Sequence, residues 1–129
     1  MRHLAESDVA RALRSGGEVE QFLPPREEGG YRALSWVCVK KDRDGTFSIS
    51  RYDVFDEGDL DHLDLYSFSY INPDEPHESR SGLPSAEMAL IMAEEQFGAT
   101  RIKYVNAGII QDEYADFLRT QRATEAHHT

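Results

Sequence analysis

Two runs rich in β-branched and aromatic residues, YRALSWVCVKK over 31–41 and TFSISRYDVFD over 46–56, flank Asp42-Arg43-Asp44-Gly45, and no other feature restricts the fold as strongly. Asp-Gly in a short connection favours a turn with positive φ at the glycine, so the runs are expected to pair as an antiparallel hairpin. Because side chains alternate across a strand, Phe47, Ile49 and Phe55 fall on one face, with Arg51 and Asp53 between them. Tyr52 and Val54 fall on the other. Further on, Leu63, Leu65 and Ile71 alternate against Tyr66, Phe68 and Tyr70, which predicts a third strand over 63–71 and an antiparallel meander.

Helices are expected before and after these strands in the chain. Ser7 followed by DVARALR and then Ser15-Gly16-Gly17 has the cap, the early acid and the glycine stop of a short helix. Ser85 opens SAEMALIMAEEQF, ended by Gly98, whose residues 86, 89, 90, 93 and 97 form one apolar stripe that predicts packing on the sheet. A third helix is predicted from Gln111, with Tyr114, Phe117 and Leu118 as its stripe, acids at its start and arginines at its end. Residues 18–23 fit a strand or a helical turn, 26–30 a polar loop, 72–84 turns, 101–105 a short strand and 123–129 a frayed tail. Strands and helices do not alternate regularly, so the class expected is α+β: a meander of three or four strands covered by two to three helices, in a single domain over 1–129.

Cys38 is the only cysteine, which excludes an intrachain disulfide and suits a reducing compartment. The opening MRHLAESDVARAL carries charges where a secretory signal needs an apolar run, and no stretch approaches membrane-spanning length; a cytoplasmic protein with no membrane partner is expected. A net charge of −10 opposes binding to phosphate backbones, so nucleic acid is not an expected partner.

Local chemistry offers little. Asp42-Arg43-Asp44-Gly45 is similar to the middle of a calcium loop, but that alignment puts Lys40 and Arg51 at positions that require oxygen ligands, and a hairpin turn explains it better. The run DVFDEGDLDHLD has no ligand spacing, and His3, His62, His77, His127 and His128 are scattered without a cysteine pair, so no metal or cofactor is expected. Cys38 lies within a predicted strand beside Trp36, the setting of a buried inert thiol, and no catalytic residue is assigned. Gly16-Gly17 and Gly29-Gly30 read as turns, and the aromatic row Tyr66, Phe68 and Tyr70 as a covered sheet face.

The charge distribution is more informative. No Lys or Arg occurs between Arg51 and Arg80, whereas nine acids do, and outside that interval 14 basic residues face 15 acidic ones. Such a patch raises association rates with cationic partners. The expected function is therefore a nonenzymatic protein–protein interaction module that binds a basic protein partner through Asp53, Asp56, Glu57, Asp59, Asp61 and Asp64. An inhibitor or a toxin-immunity-like protein is one physical form of it. The alternative is a small-molecule-binding domain or minor enzyme with a pocket between the sheet and the 85–97 helix, using Lys103, Tyr104 or His62 as polar contacts.

Overall fold

The computed structural model describes residues 2–75 and 77–128, with side chains through Gln121. It is an α+β fold built on one antiparallel six-stranded sheet. In chain order the elements are α1 (Glu6–Arg14), β1 (Val19–Phe22), β2 (Arg26–Glu28), β3 (Tyr31–Lys41), β4 (Phe47–Phe55), β5 (His77–Leu83), α2 (Ala86–Phe97), β6 (Val105–Asn106) and α3 (Ile110–His128). The sheet order is β5-β4-β3-β1-β6, with β2 also paired to the start of β3.

The predicted hairpin forms the centre of this sheet. Nine residue pairs join β3 to β4, from Ala33 opposite Phe55 to Lys41 opposite Phe47. Gly45 has φ of 87°, its N–H bonds to Asp42 O at 3.0 Å, and the Asp44 carboxylate accepts from Thr46 N at 2.9 Å. A left-handed glycine backed by an Asx bond is what fixes the register of the two long strands.

Each face of the sheet buries its own core. On the upper face Val19, Val37, Val39, Phe47 and Ile49 pack against Val9 and Leu13 of α1 and against Ala86, Ala89, Leu90, Ala93 and Phe97 of α2. Ser85 caps α2 by accepting from Met88 N at 3.1 Å, and Gly98 ends it at φ 76°. On the lower face Leu34, Trp36 and Val54 pack against Leu65, Phe68, Val105, Ile110 and Tyr114. The alternation read along β4 is therefore correct, and both of its faces are occupied.

Five local expectations change. Residues 63–71 do not form a strand: Leu65–Ser67 is a 3-10 turn, and only Tyr70 bridges to Val54. Leu65 and Phe68 are both buried, and this three-residue spacing suits a helical turn where a strand needs every second residue. Residues 77–83, expected as loop, form edge strand β5, which displays no hydrophobic alternation because six of its seven residues are exposed. Residues 26–28 form β2, returned onto β3 by Gly29 and Gly30 at φ 43° and 104°. The 101–105 strand shrinks to Val105–Asn106, since Gln21 clamps the preceding turn by donating to Thr100 O at 2.8 Å and accepting from Thr100 N at 2.7 Å. Finally, α1 starts at Glu6 with Ala5 in the cap position, leaving Ser7 inside the first turn. The helical backbone of α3 runs to His128, and the expected fraying of 123–129 falls on side chains outside the described residues. No helix among the described residues is long and apolar enough to cross a membrane.

Candidate functional site

The lower face is covered over only part of its extent, and the site lies where the cover stops. β1 pairs with β3 so that Glu20 lies opposite Cys38 and Phe22 opposite Trp36. β3 pairs with β4 so that Trp36 lies opposite Tyr52 and Cys38 opposite Ser50. These side chains share the lower face by alternation. α3 and the 56–71 segment cover its Leu34 end, while the part toward the β3–β4 turn remains open as a cleft of about 290 Å³. Tyr66 and Tyr70, 39% and 37% exposed, form its wall, and Trp36, 3% exposed, its floor. Trp36 and Tyr52 are stacked with centroids 5.3 Å apart at 19°, and Tyr66 meets Trp36 at 5.5 Å and 85°.

At the base of the rings lies a carboxylate. Glu20 is only 5% exposed. Its Oε1 accepts from Tyr66 OH at 2.5 Å and from Gly108 N–H at 2.8 Å, whereas Oε2 accepts no hydrogen bond among the described residues. Burial pushes the Glu20 carboxyl above its ordinary pKa; the bonds from Tyr66 and Gly108 pull it back, and nearby Glu18 adds to the rise. Burial and the Glu20 carboxylate together push the Tyr66 phenol up, which keeps it a donor. Burial pushes the Cys38 thiol up to about 12, with Glu18 and Glu20 adding to the effect and Lys40 opposing it. A thiol in that state is a poor nucleophile.

The six acids singled out in the sequence divide into two groups. Asp53 is half-buried on the upper side, accepting from Ser35 Oγ, from Arg26 at 3.2 Å and from Arg51 at 3.4 Å. Asp56, with its side chain 9% exposed, pairs with Arg32 at 3.3 Å and accepts from Tyr114 OH. These two carboxylates hold the fold. Glu57 is exposed but accepts from Ser69 N at 2.5 Å and Ser69 Oγ at 2.9 Å. Asp59, Asp61 and Asp64 are exposed, with Asp59 also closing a turn onto Asp61 N at 2.8 Å. All four belong to the segment that goes on to supply Tyr66 and Tyr70.

Comparison with protein-family models, characterised proteins and solved structures returned no match. The reading of the site therefore rests on its own geometry. Among the described residues, no group of three or more His, Cys, Asp or Glu side chains is placed to hold a metal ion.

The residues proposed for a pocket under the 85–97 helix do not converge there. Tyr104 is fully buried in the upper core, its hydroxyl without a hydrogen-bond partner. Lys103 is exposed beside a second cleft lined by Gln21, Phe22 and Glu113, and His62 stacks on Phe68 at 5.5 Å. The aromatic row was visible in the sequence as Tyr66, Phe68 and Tyr70, but Phe68 is buried while the tyrosines line the cleft. Glu18 and Glu20 carried a signal as well, being acids in alternation within EVEQF, yet only pairing with β3 reveals that they share a face with Trp36 and Cys38.

Proposed function

We propose that this chain is a nonenzymatic recognition domain for a basic protein, which is steered by the exposed acids of the 56–71 segment and seated in the aromatic cleft above Glu20. The observation that carries this reading is a nearly buried carboxylate that lines one cleft with the Trp36, Tyr52 and Tyr66 rings, a cleft whose wall comes from the acid-rich segment. An ionised carboxylate in so little water favours a cation beside it. Aromatic faces attract cations as well. The molecule's net charge of −10 adds a long-range attraction to any positive surface. At about 290 Å³ the cleft is near the lower limit of roughly 300 Å³ for small-molecule sites, so it suits the tip of a side chain better than a whole metabolite. A protein that occludes a basic active site, as an inhibitor or immunity protein does, is a form of partner recognition consistent with this.

Association with a dye-labelled octalysine peptide, followed by stopped-flow over a range of salt concentrations, tests the reading. The variant Asp59→Asn/Asp61→Asn/Asp64→Asn is expected to associate several-fold more slowly at low salt and to lose much of the salt dependence, with its fold intact. Equal rates for variant and parent would contradict it.

A further inference from the structure

Resting on the reading above, we infer that the cleft selects an alkylammonium that still bears N–H, the tip of a lysine side chain, and that the Glu20 Oε2 atom is its acceptor. One observation and two chemical arguments distinguish this ligand from other cations. Oε1 of Glu20 already receives two donors, Tyr66 OH and Gly108 N–H, so Glu20, the buried carboxylate of the cleft, offers a single oxygen to a ligand. A guanidinium presents a planar fork that is best matched by two carboxylate oxygens, and here one prong would find its acceptor taken. A quaternary ammonium has no N–H at all and would seal Oε2 away from water without a hydrogen bond, the costly way to bury a carboxylate oxygen. An ammonium with at least one N–H satisfies Oε2 and leaves its remaining positions to the rings.

The walls fit the rest of such a side chain. Tyr66 and Tyr70 expose ring surface at the mouth, against which a chain of methylenes packs. Lys40 lines the same cleft but forms no ion pair with Glu18 or Glu20 among the described residues. One step beyond the Val19–Val39 pair, Lys40 sits toward the turn, on the Glu18 side. Its charge offsets that of exposed Glu18 at that end, which leaves Glu20 as the cleft's uncompensated anion.

Four small probes test the inference by titration at pH 7: n-butylammonium, n-butyltrimethylammonium, n-butylguanidinium and n-butanol. Trp36 is the only tryptophan, so its indole N–H resonance is an unambiguous reporter at the cleft floor. The expected result is a saturable shift of that resonance with n-butylammonium, at an affinity at least tenfold above those of the other three. Glu20→Gln keeps an oxygen for Tyr66 and Gly108 and should erase the preference, Tyr70→Ala should weaken n-butylammonium binding with Glu20 undisturbed, and Lys40→Gln should tighten it. Equal or tighter binding of n-butyltrimethylammonium, wild-type affinity in Glu20→Gln, or no shift with any probe would overturn the inference. If octalysine still bound through Asp59, Asp61 and Asp64 in such a case, the broader reading would survive; if octalysine also failed, both would fall.

Discussion

Glu20 occupies a position where a carboxylate is costly to the fold. Its pKa is raised from the ordinary 4.5, first by burial, so between the ordinary value and the raised one the native state holds a proton that the unfolded chain has released. Stability contributed by this group is present below the ordinary value and falls as pH rises through the raised one. At neutral pH, Glu20→Gln is therefore expected to raise the melting temperature relative to the parent, and the two melting curves should converge as the pH drops below 4.5. The groups that face Glu20 are Glu18, Tyr66, Cys38 and Lys40, and of the acids among them Glu18 raises it further. A melting temperature lowered by Glu20→Gln at pH 7 would indicate that the carboxylate is structural. Binding should show the opposite sense of pH dependence, weakening in acid at a pH above that of an ordinary carboxylate. At this scale the sequence was a partial guide. Asp53 and Asp56 look no different from Asp59 and Asp61 in a list of charges, and only the positions of Arg26 and Arg32 on neighbouring strands and of Arg51 two residues away engage the first two in ion pairs.

The segment that walls the cleft is held at Gly58. A Cβ there would meet His62 O at 2.4 Å, Phe68 Cζ at 2.5 Å and the Tyr114 hydroxyl at 2.7 Å, which leaves no room for alanine. Gly58→Ala is expected to cost about 1–3 kcal/mol in urea unfolding, the range for overpacking a filled interior, and to loosen Tyr66 and Tyr70 with the segment. The cap of α2 offers a calibration away from the site: Ser85→Ala should cost about 1 kcal/mol and leave probe binding unchanged. α2 and the β3–β4 hairpin were legible because their signals are local, a cap with a glycine stop and an Asp-Gly turn between two β-rich runs. Residues 63–71 were not, since Leu63, Leu65 and Ile71 alternate by chance while burial follows Leu65 and Phe68. β5 was hidden for a different reason. Its pairing comes from backbone bonds to β4, to which exposed side chains such as Glu78, Ser79 and Arg80 contribute no hydrophobic pattern.

Across the whole molecule, two cores on opposite faces of one sheet explain how a chain of 129 residues leaves part of a face uncovered. The upper core, built with α1 and α2, supplies much of the burial. Truncating its centre, for example by Leu90→Ala, should therefore cost about 2–5 kcal/mol while leaving the rings of the cleft in place. The charge imbalance belongs to this scale too. Four exposed acids, Glu57, Asp59, Asp61 and Asp64, lie on the segment that overlies the lower face, so on the proposed reading a cationic partner is drawn toward the side of the molecule that carries the cleft. What the sequence could not supply is the coincidence of the two, because Glu20 and Trp36 come together only through strand pairing and Tyr66 is carried to them by a 3-10 turn from a distant part of the chain. The most direct test of the account is where octalysine makes contact, mapped by amide and indole chemical shifts during titration of the isotope-labelled protein. Saturable shifts centred on Trp36, Glu20, Tyr66 and Tyr70, with weaker ones at Asp59, Asp61 and Asp64, are the predicted result. Shifts confined to surfaces away from the cleft would contradict it.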